Sequence, residues 1–292
     1  TYFEFLIDKE QKFNLECQMG NVIETMKIKG SNDNVLFYEY LKFIQDRSKE
    51  VEPLKAQRKA MADNHQPTDS LDEKIKAIDK LVIDFKTNFI NTHPDCILSA
   101  IFKGSQDPEV PELPIKPDGS RDSAFAYYYY RNHYFDKLDL SDERLLRSPI
   151  YHNKLQYFTK NLMIQIPDSI IPMADMLVNA ASRNKETFKY MVWFLTNTYE
   201  TSNIMGMDQV FVHLVKNYYT KEKAYWVDET TLYKINDRAR ILEPILLGKK
   251  VKNLILTDSS GVYQALYNVN TPYTILYFWD PDCGHCKKAT PK

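Results

Sequence analysis

Between residues 35 and 246 the chain is a succession of helix-length segments with almost no glycine to interrupt them. This restricts its fold more than any other feature. The pattern is plainest at 69–91, where Leu71, Ile75, Ile78, Leu81, Val82, Phe85 and Phe89 recur at the spacing that places them on one helix face. Residues 35–62 carry Leu36, Tyr40, Phe43, Ile44, Val51 and Leu54 before turning charged. Only Asp63-Asn64-His65-Gln66-Pro67 joins the two segments, and so short a link predicts an antiparallel helical hairpin. Ser31 to Asn34 offers N-cap candidates, and Ser70 with Glu73 fits a capping box. Glycine numbers 8 in 292 residues, far below the usual share of roughly 7%, and none falls inside a predicted helix. Further helices are expected at 94–103, 122–136, 142–147, 150–164, 168–182, 185–201, 207–220 and 229–246. Asp168, Asn184, Asp208 and Asp228 stand where N-caps belong.

Two stretches at the ends read differently. Residues 2–30 predict three short strands, at Tyr2–Ile7, Lys12–Cys17 and Val22–Ile28, with turns at Asp8-Lys9 and Gly20-Asn21. Val251–Thr257 and Val262–Tyr267 predict a β-hairpin about Asp258-Ser259-Ser260-Gly261, and Thr274–Trp279 predicts a buried strand that stops at Asp280-Pro281. Between helices, Gly104–Gly119 holds four prolines and predicts a surface loop or extended strap. The domain reading is 1–30, the last strands of a β-domain; 31–247, a helical domain; and 248–292, a third segment of different character. Thr1 opens the chain without a methionine or a signal peptide, and both ends are expected to be cuts within a longer polypeptide.

Composition excludes more than it selects. With 38 basic and 39 acidic residues there is no electrostatic case for nucleic acid or an anionic membrane. No apolar run approaches the length of a membrane span. The six histidines have no ligand spacing, and no metal site, phosphate loop, dinucleotide fingerprint or Ser-His-Asp order is visible. The run Tyr127-Tyr128-Tyr129-Tyr130 could line a glycan or peptide groove, but rings on a helix point all round and core packing is the expectation. Arg144, Arg147, Lys154 and Lys160 read as a solvated basic face.

The one place where residues spell out a chemistry is Cys283-Gly284-His285-Cys286. Cysteines three apart just past a strand end can share one helical turn. The first then meets the N-terminal N–H groups and dipole that stabilise a thiolate. Half of a zinc site and chance spacing are the competing readings, but zinc wants four ligands and no second pair exists. Cys17 and Cys96 are isolated and read as inert thiols, with a structural disulfide between them left open.

Phe278-Trp279, Cys283-Gly284-His285-Cys286-Lys287 and Pro291 together resemble the active-site segment of thioredoxin-like proteins. The hairpin before them resembles the entry hairpin of the TlpA/ResA-like branch. With Tyr2–Lys9, Asp139–Leu146 and Met205-Gly206-Met207-Asp208, the whole chain is similar to exported Bacteroidetes proteins that join a β-domain, a helical domain of unknown function and a TlpA-like thioredoxin domain. The resemblance implies a mainly α fold with a short N-terminal β remnant and an incomplete C-terminal thioredoxin-like α/β segment at 248–292. It implies a thiol-disulfide oxidoreductase of the periplasm or cell envelope, lipid-anchored through a segment not in this chain. Cys283 would attack, Cys286 would resolve, Trp279 would pack beneath the site and Pro291 would bend the helix. His285 implies a less strongly reducing pair, and Asp282 replaces a common tryptophan with a carboxylate that opposes a thiolate. No cofactor beyond the cysteine pair is implied; the partners would be thiol or disulfide clients and an upstream redox protein. The family's cis-proline loop is not among these residues, so the fragment alone is expected to be a poor catalyst. The alternative is a helical binding module for peptide, protein or glycan, with no catalysis of its own.

Overall fold

A computed structural model describes residues 3–290. The fold is mainly α-helical, as the periodicity requires. In chain order it comprises β1 (Asn14–Glu16), α1 (Val22–Thr25), β2 (Lys27–Lys29), α2 (Asn32–Asp63), α3 (Asp69–Thr92), α4 (Ile97–Gly104), α5 (Ser123–Asn132), α6 (Pro149–Tyr157), α7 (Pro167–Ala181), α8 (Lys185–Glu200), α9 (Asp208–Tyr218), α10 (Glu229–Leu242), β3 (Ile255–Thr257), β4 (Tyr263–Ala265) and α11 (Gly284–Ala289). A 3-10 turn at Glu143–Arg147 precedes α6, and α6 runs on into a wider π-helical turn at Phe158–Leu162.

Helices α2 and α3 form the expected antiparallel hairpin. Phe43 stacks on Phe85 with ring centroids 4.3 Å apart, and Arg58 pairs with Asp72 further out, so residue numbers fall on one helix as they rise on the other. The turn is closed by His65, which takes a positive φ of 54°. Ser31 caps α2, accepting the Asn34 N–H at 3.3 Å. The Ser70–Glu73 capping box is not formed: the N-cap position falls on Thr68, two residues earlier, and Thr68 donates its hydroxyl to Asp72 at 2.7 Å. Asn184 and Asp228 cap α8 and α10 through their side chains, whereas α7 begins at Pro167 and α9 at Asp208 itself, leaving Asp168 and Asp208 inside the first turn.

Two hydrophobic clusters hold these helices. The larger joins α6 to α10, with Leu155, Ile170, Leu177, Met191, Leu195, Val210 and Leu214 fully buried. The smaller gathers Leu36, Phe37 and Tyr38 of α2, Phe89 of α3 and Leu98 and Phe102 of α4 around the N-terminal hairpin. Gly104 lets α4 lie close to the following segment, because a Cβ there would sit 2.5 Å from Leu138 Cδ1.

The N-terminal strands differ from expectation. Among the described residues β1 and β2 pair, antiparallel, with Leu15 opposite Ile28, and a single further bridge joins Gln18 to Asn21. Val22–Thr25 winds into one helical turn, and the described part of Tyr2–Ile7 forms no strand; Tyr2 itself lies outside the described residues. Side chains of α2 take the place of a ladder. Buried Asn34 accepts the Leu6 N–H at 2.7 Å and donates to the Leu6 carbonyl at 2.8 Å, and the Tyr38 hydroxyl donates to the Glu4 carbonyl at 3.0 Å.

The proline-rich stretch runs as an irregular strap fastened by Lys154. That side chain is buried, donates to the Gln106 carbonyl at 3.0 Å, and lies 4.6 Å from the centre of the Tyr134 ring. The basic face expected from sequence is formed only in part: Arg147 and Lys160 are exposed. Lys154 points inward, and Arg144 ties Asp142 at 2.7 Å to Asp8 at 3.3 Å and to the Asp95 carbonyl at 3.1 Å. The tyrosine run is also corrected. None of its rings is buried: Tyr128 is exposed beneath Arg131, Tyr127 is partly exposed with its hydroxyl donating to the Leu162 carbonyl at 2.7 Å, Tyr130 packs partly on the core, and Tyr134, outside the run, is the buried ring. α5 lies on the surface, so only one of four rings spaced 100° apart can turn inward.

Candidate functional site

The cysteine pair is built by local backbone chemistry. Asp280 Oδ1 accepts the Asp282 N–H at 2.8 Å, and the Asp280 carbonyl accepts the Cys283 N–H at 3.2 Å, turning the chain at Asp-Pro. Cys283 then takes an extended conformation, with φ −78° and ψ 112°, as N-cap of α11. Its Sγ accepts the Cys286 N–H at 3.2 Å, the contact a Ser or Asp side chain makes at an ordinary helix start. Both residues are half-buried and both are free thiols.

These contacts set the acidity. The Cys283 thiol is held below its ordinary value, first by the hydrogen bond from the Cys286 side chain, then by the N–H groups of Cys286 and His285. Cys96 is the opposite case: burial pushes its thiol up to about 11, marking it as inert. Cys17 is half-buried beside the smaller cluster, and it and Cys96 are separate thiols.

The supporting residues are placed as follows. His285 is exposed on the first turn of α11, and Trp279 is 50% exposed. Pro291 lies outside the described residues. The apolar run before the pair is not the buried strand that its residue types suggest. Residues 274–279 join no ladder, and Ile275 is 92% exposed. β-branched and aromatic residues favour a strand only where another strand and a packed face receive them, and neither lies alongside here. The run is tied to α11 by Tyr277, whose hydroxyl meets the Thr290 hydroxyl at 2.6 Å. Before it, β3 and β4 form the expected hairpin, with Leu256 opposite Gln264. Asp258 fastens its turn by accepting the Ser260 and Val262 N–H groups at 2.9 and 3.0 Å.

Tertiary structure also assembles groups that no spacing announced. Asp175 of α7 meets His213 Nε2 at 2.9 Å and accepts the Tyr218 hydroxyl at 2.7 Å from α9. No nucleophile joins this cluster, and it serves as a helix-to-helix tie. Among the described residues no three His, Cys, Asp or Glu side chains are grouped to hold a metal ion, and no helix is long and apolar enough to cross a membrane.

The fold and site thus define a mainly helical body followed by a hairpin and a paired-thiol helix turn. The family described as a domain of unknown function, DUF5106, matches residues 56–243, and the chain belongs to that family. The match starts within α2 and ends just past α10, so it covers most of the helical body and leaves Cys283 and Cys286 outside. Among solved structures, a thioredoxin-like protein from Bacteroides caccae ATCC 43185 is similar, with 16% identity and a TM-score of 0.43. That likeness covers 62% of this chain and 65% of the other, less than two thirds of its length. No curated protein matches the chain significantly.

Proposed function

We propose that this chain belongs to a thiol-disulfide oxidoreductase of the cell envelope, in which Cys283 and Cys286 exchange with client disulfides. The observation that supports the reading is the Cys286 N–H directed at Cys283 Sγ at the start of α11, with the Cys283 thiol acidified. The Cys283 thiolate attacks one sulfur of a client disulfide. A mixed disulfide forms, and the displaced client sulfur leaves as a thiolate that takes a proton from water. Cys286, once deprotonated, attacks Cys283 Sγ and releases the second client thiolate. Two electrons have passed to the client, and the chain is left with a Cys283–Cys286 disulfide. An upstream dithiol protein would return the pair to thiols; the same steps in reverse oxidise a dithiol client. The periplasmic setting rests on the resemblance of the chain to exported proteins, and the helical body is assigned the holding of clients.

The test is trapping. A Cys286→Ser variant treated with a model peptide disulfide should keep the peptide on Cys283, seen as a stable adduct by mass spectrometry. The unmodified chain should release it and form the internal disulfide. The pH dependence follows from the contacts. Because the Cys283 value is depressed, its reactive thiolate persists to lower pH and is lost only as pH falls through that value. Cys286→Ala removes the side-chain hydrogen bond and should move the midpoint of Cys283 alkylation upward. No adduct on Cys283, or no internal disulfide in the unmodified chain, sinks the reading.

A further inference from the structure

A cleft of about 720 Å³ opens where the two hydrophobic clusters meet, within the family-matched region. Ile90 of α3 and Ala100 of α4 form one wall, and the Leu138–Leu145 segment forms another. Phe135, Leu138, Met173 and Met176 give it an apolar lining. Its volume falls in the range of roughly 300–1,000 Å³ typical of small-molecule sites, which favour junctions of this kind. Methionines suit such a lining because their flexible thioethers follow the shape of what lies on them.

The charges around the cleft are unevenly committed. Its three carboxylates are engaged: Asp142 by Arg144 at 2.7 Å, Asp139 by Arg183 at 3.2 Å and Asp136 by His133 Nδ1 at 2.6 Å. Arg131 lies over the rings of Tyr127 and Tyr128, at 5.7 and 5.1 Å. Lys103 and Lys137 are different. Both line the cleft, both are exposed, and neither has an ion-pair or hydrogen-bond partner among the described residues. Four basic side chains, Lys103, Arg131, Lys137 and Arg183, line the cleft against three acidic ones, so the charge it offers to a ligand is positive on balance and sits beside an apolar surface. An arrangement of this kind fits a molecule with one anionic end and one apolar body.

We propose that this cleft binds a small amphiphilic anion, a carboxylate carried on an apolar body. The carboxylate meets Lys103 and Lys137, and the body lies on Phe135, Leu138, Met173 and Met176. This site is independent of the cysteine pair, since no residue beyond Arg183 lines it.

The test uses the full chain with carbon-13 methionine methyl groups, titrated with octanoate and, as a neutral counterpart, 1-octanol. Met173→Leu and Met176→Leu assign the two signals of interest. Octanoate should shift both signals saturably. A Lys103→Gln/Lys137→Gln variant, altered only at exposed positions, should bind octanoate about tenfold more weakly and 1-octanol within about twofold of the parent. The proposal is overturned if octanoate leaves Met173 and Met176 unmoved, or if the double variant binds it as the parent does. It is equally overturned if the variant loses both probes alike, or if only an acidic, apolar peptide shifts these signals.

Discussion

Asn34 shows how much a single residue can decide. Its sequence neighbours mark it as one of several cap candidates, and the cap is in fact made by Ser31. Asn34 is fully buried and serves as a surrogate strand, satisfying both the N–H and the carbonyl of Leu6. Asn34→Ala leaves these two backbone groups without partners and should cost about 1–3 kcal/mol. Urea unfolding measures the loss, and faster amide exchange at Leu6 locates it. An unchanged exchange rate at Leu6 would show that the arm is held by other means. Cys283 is a second case at this scale. Its position could be read from spacing alone, because a cap hydrogen bond spans three residues. The acidity that results needed the atoms in place.

At the scale of elements, helices were the most legible part of the chain. An α-helix satisfies its backbone within four residues, so periodicity and capping residues locate it without knowledge of the rest. The strap at 105–122 is the contrast: its prolines announce an irregular path, but nothing local says what holds it. Lys154 does so from α6, and burial lowers the pKa of its ammonium from the ordinary lysine value of 10.5, partly offset by Asp107. The sign follows from linkage. A cation with a depressed folded value binds fewer protons when folded than when unfolded, so this group makes stability rise with pH between the two values. Lys154→Met should remove that rise. Comparing urea unfolding of parent and variant as pH rises toward 10.5 measures it. The same variant should loosen the strap, seen as faster proteolysis between Ser105 and Asp122. A parent whose stability does not rise relative to the variant across that range would contradict the assignment.

At the scale of the whole molecule, two clusters share the work of burial. The α2–α3 hairpin depends on aromatic contacts such as Phe43 on Phe85, while α8 runs through the larger cluster with Leu195 fully buried. Phe85 is only partly covered, so Phe85→Ala should cost about 2 kcal/mol; Leu195→Ala should cost about 2–5 kcal/mol. Because the two sites share no partner, the double variant should lose the sum to within about 0.5 kcal/mol, measured by chemical denaturation. A larger departure would mean that the clusters behave as one core.

Local sequence was enough to place the order of the helices, the hairpin at β3–β4 and Cys283 and Cys286 on one helical turn. Each of these rests on interactions between residues a few positions apart. Tertiary structure alone decided which charged and aromatic side chains are covered. It turned Lys154 inward, left none of the tyrosines of α5 buried, replaced the first expected strand with side-chain contacts to α2, and left the run at 274–279 without a ladder. It also brought Lys103, Lys137, Met173 and Met176 to one cleft from three separate segments. Burial and strand pairing depend on neighbours distant in the chain, and residue type records only that a side chain could be buried or paired, not what lies beside it.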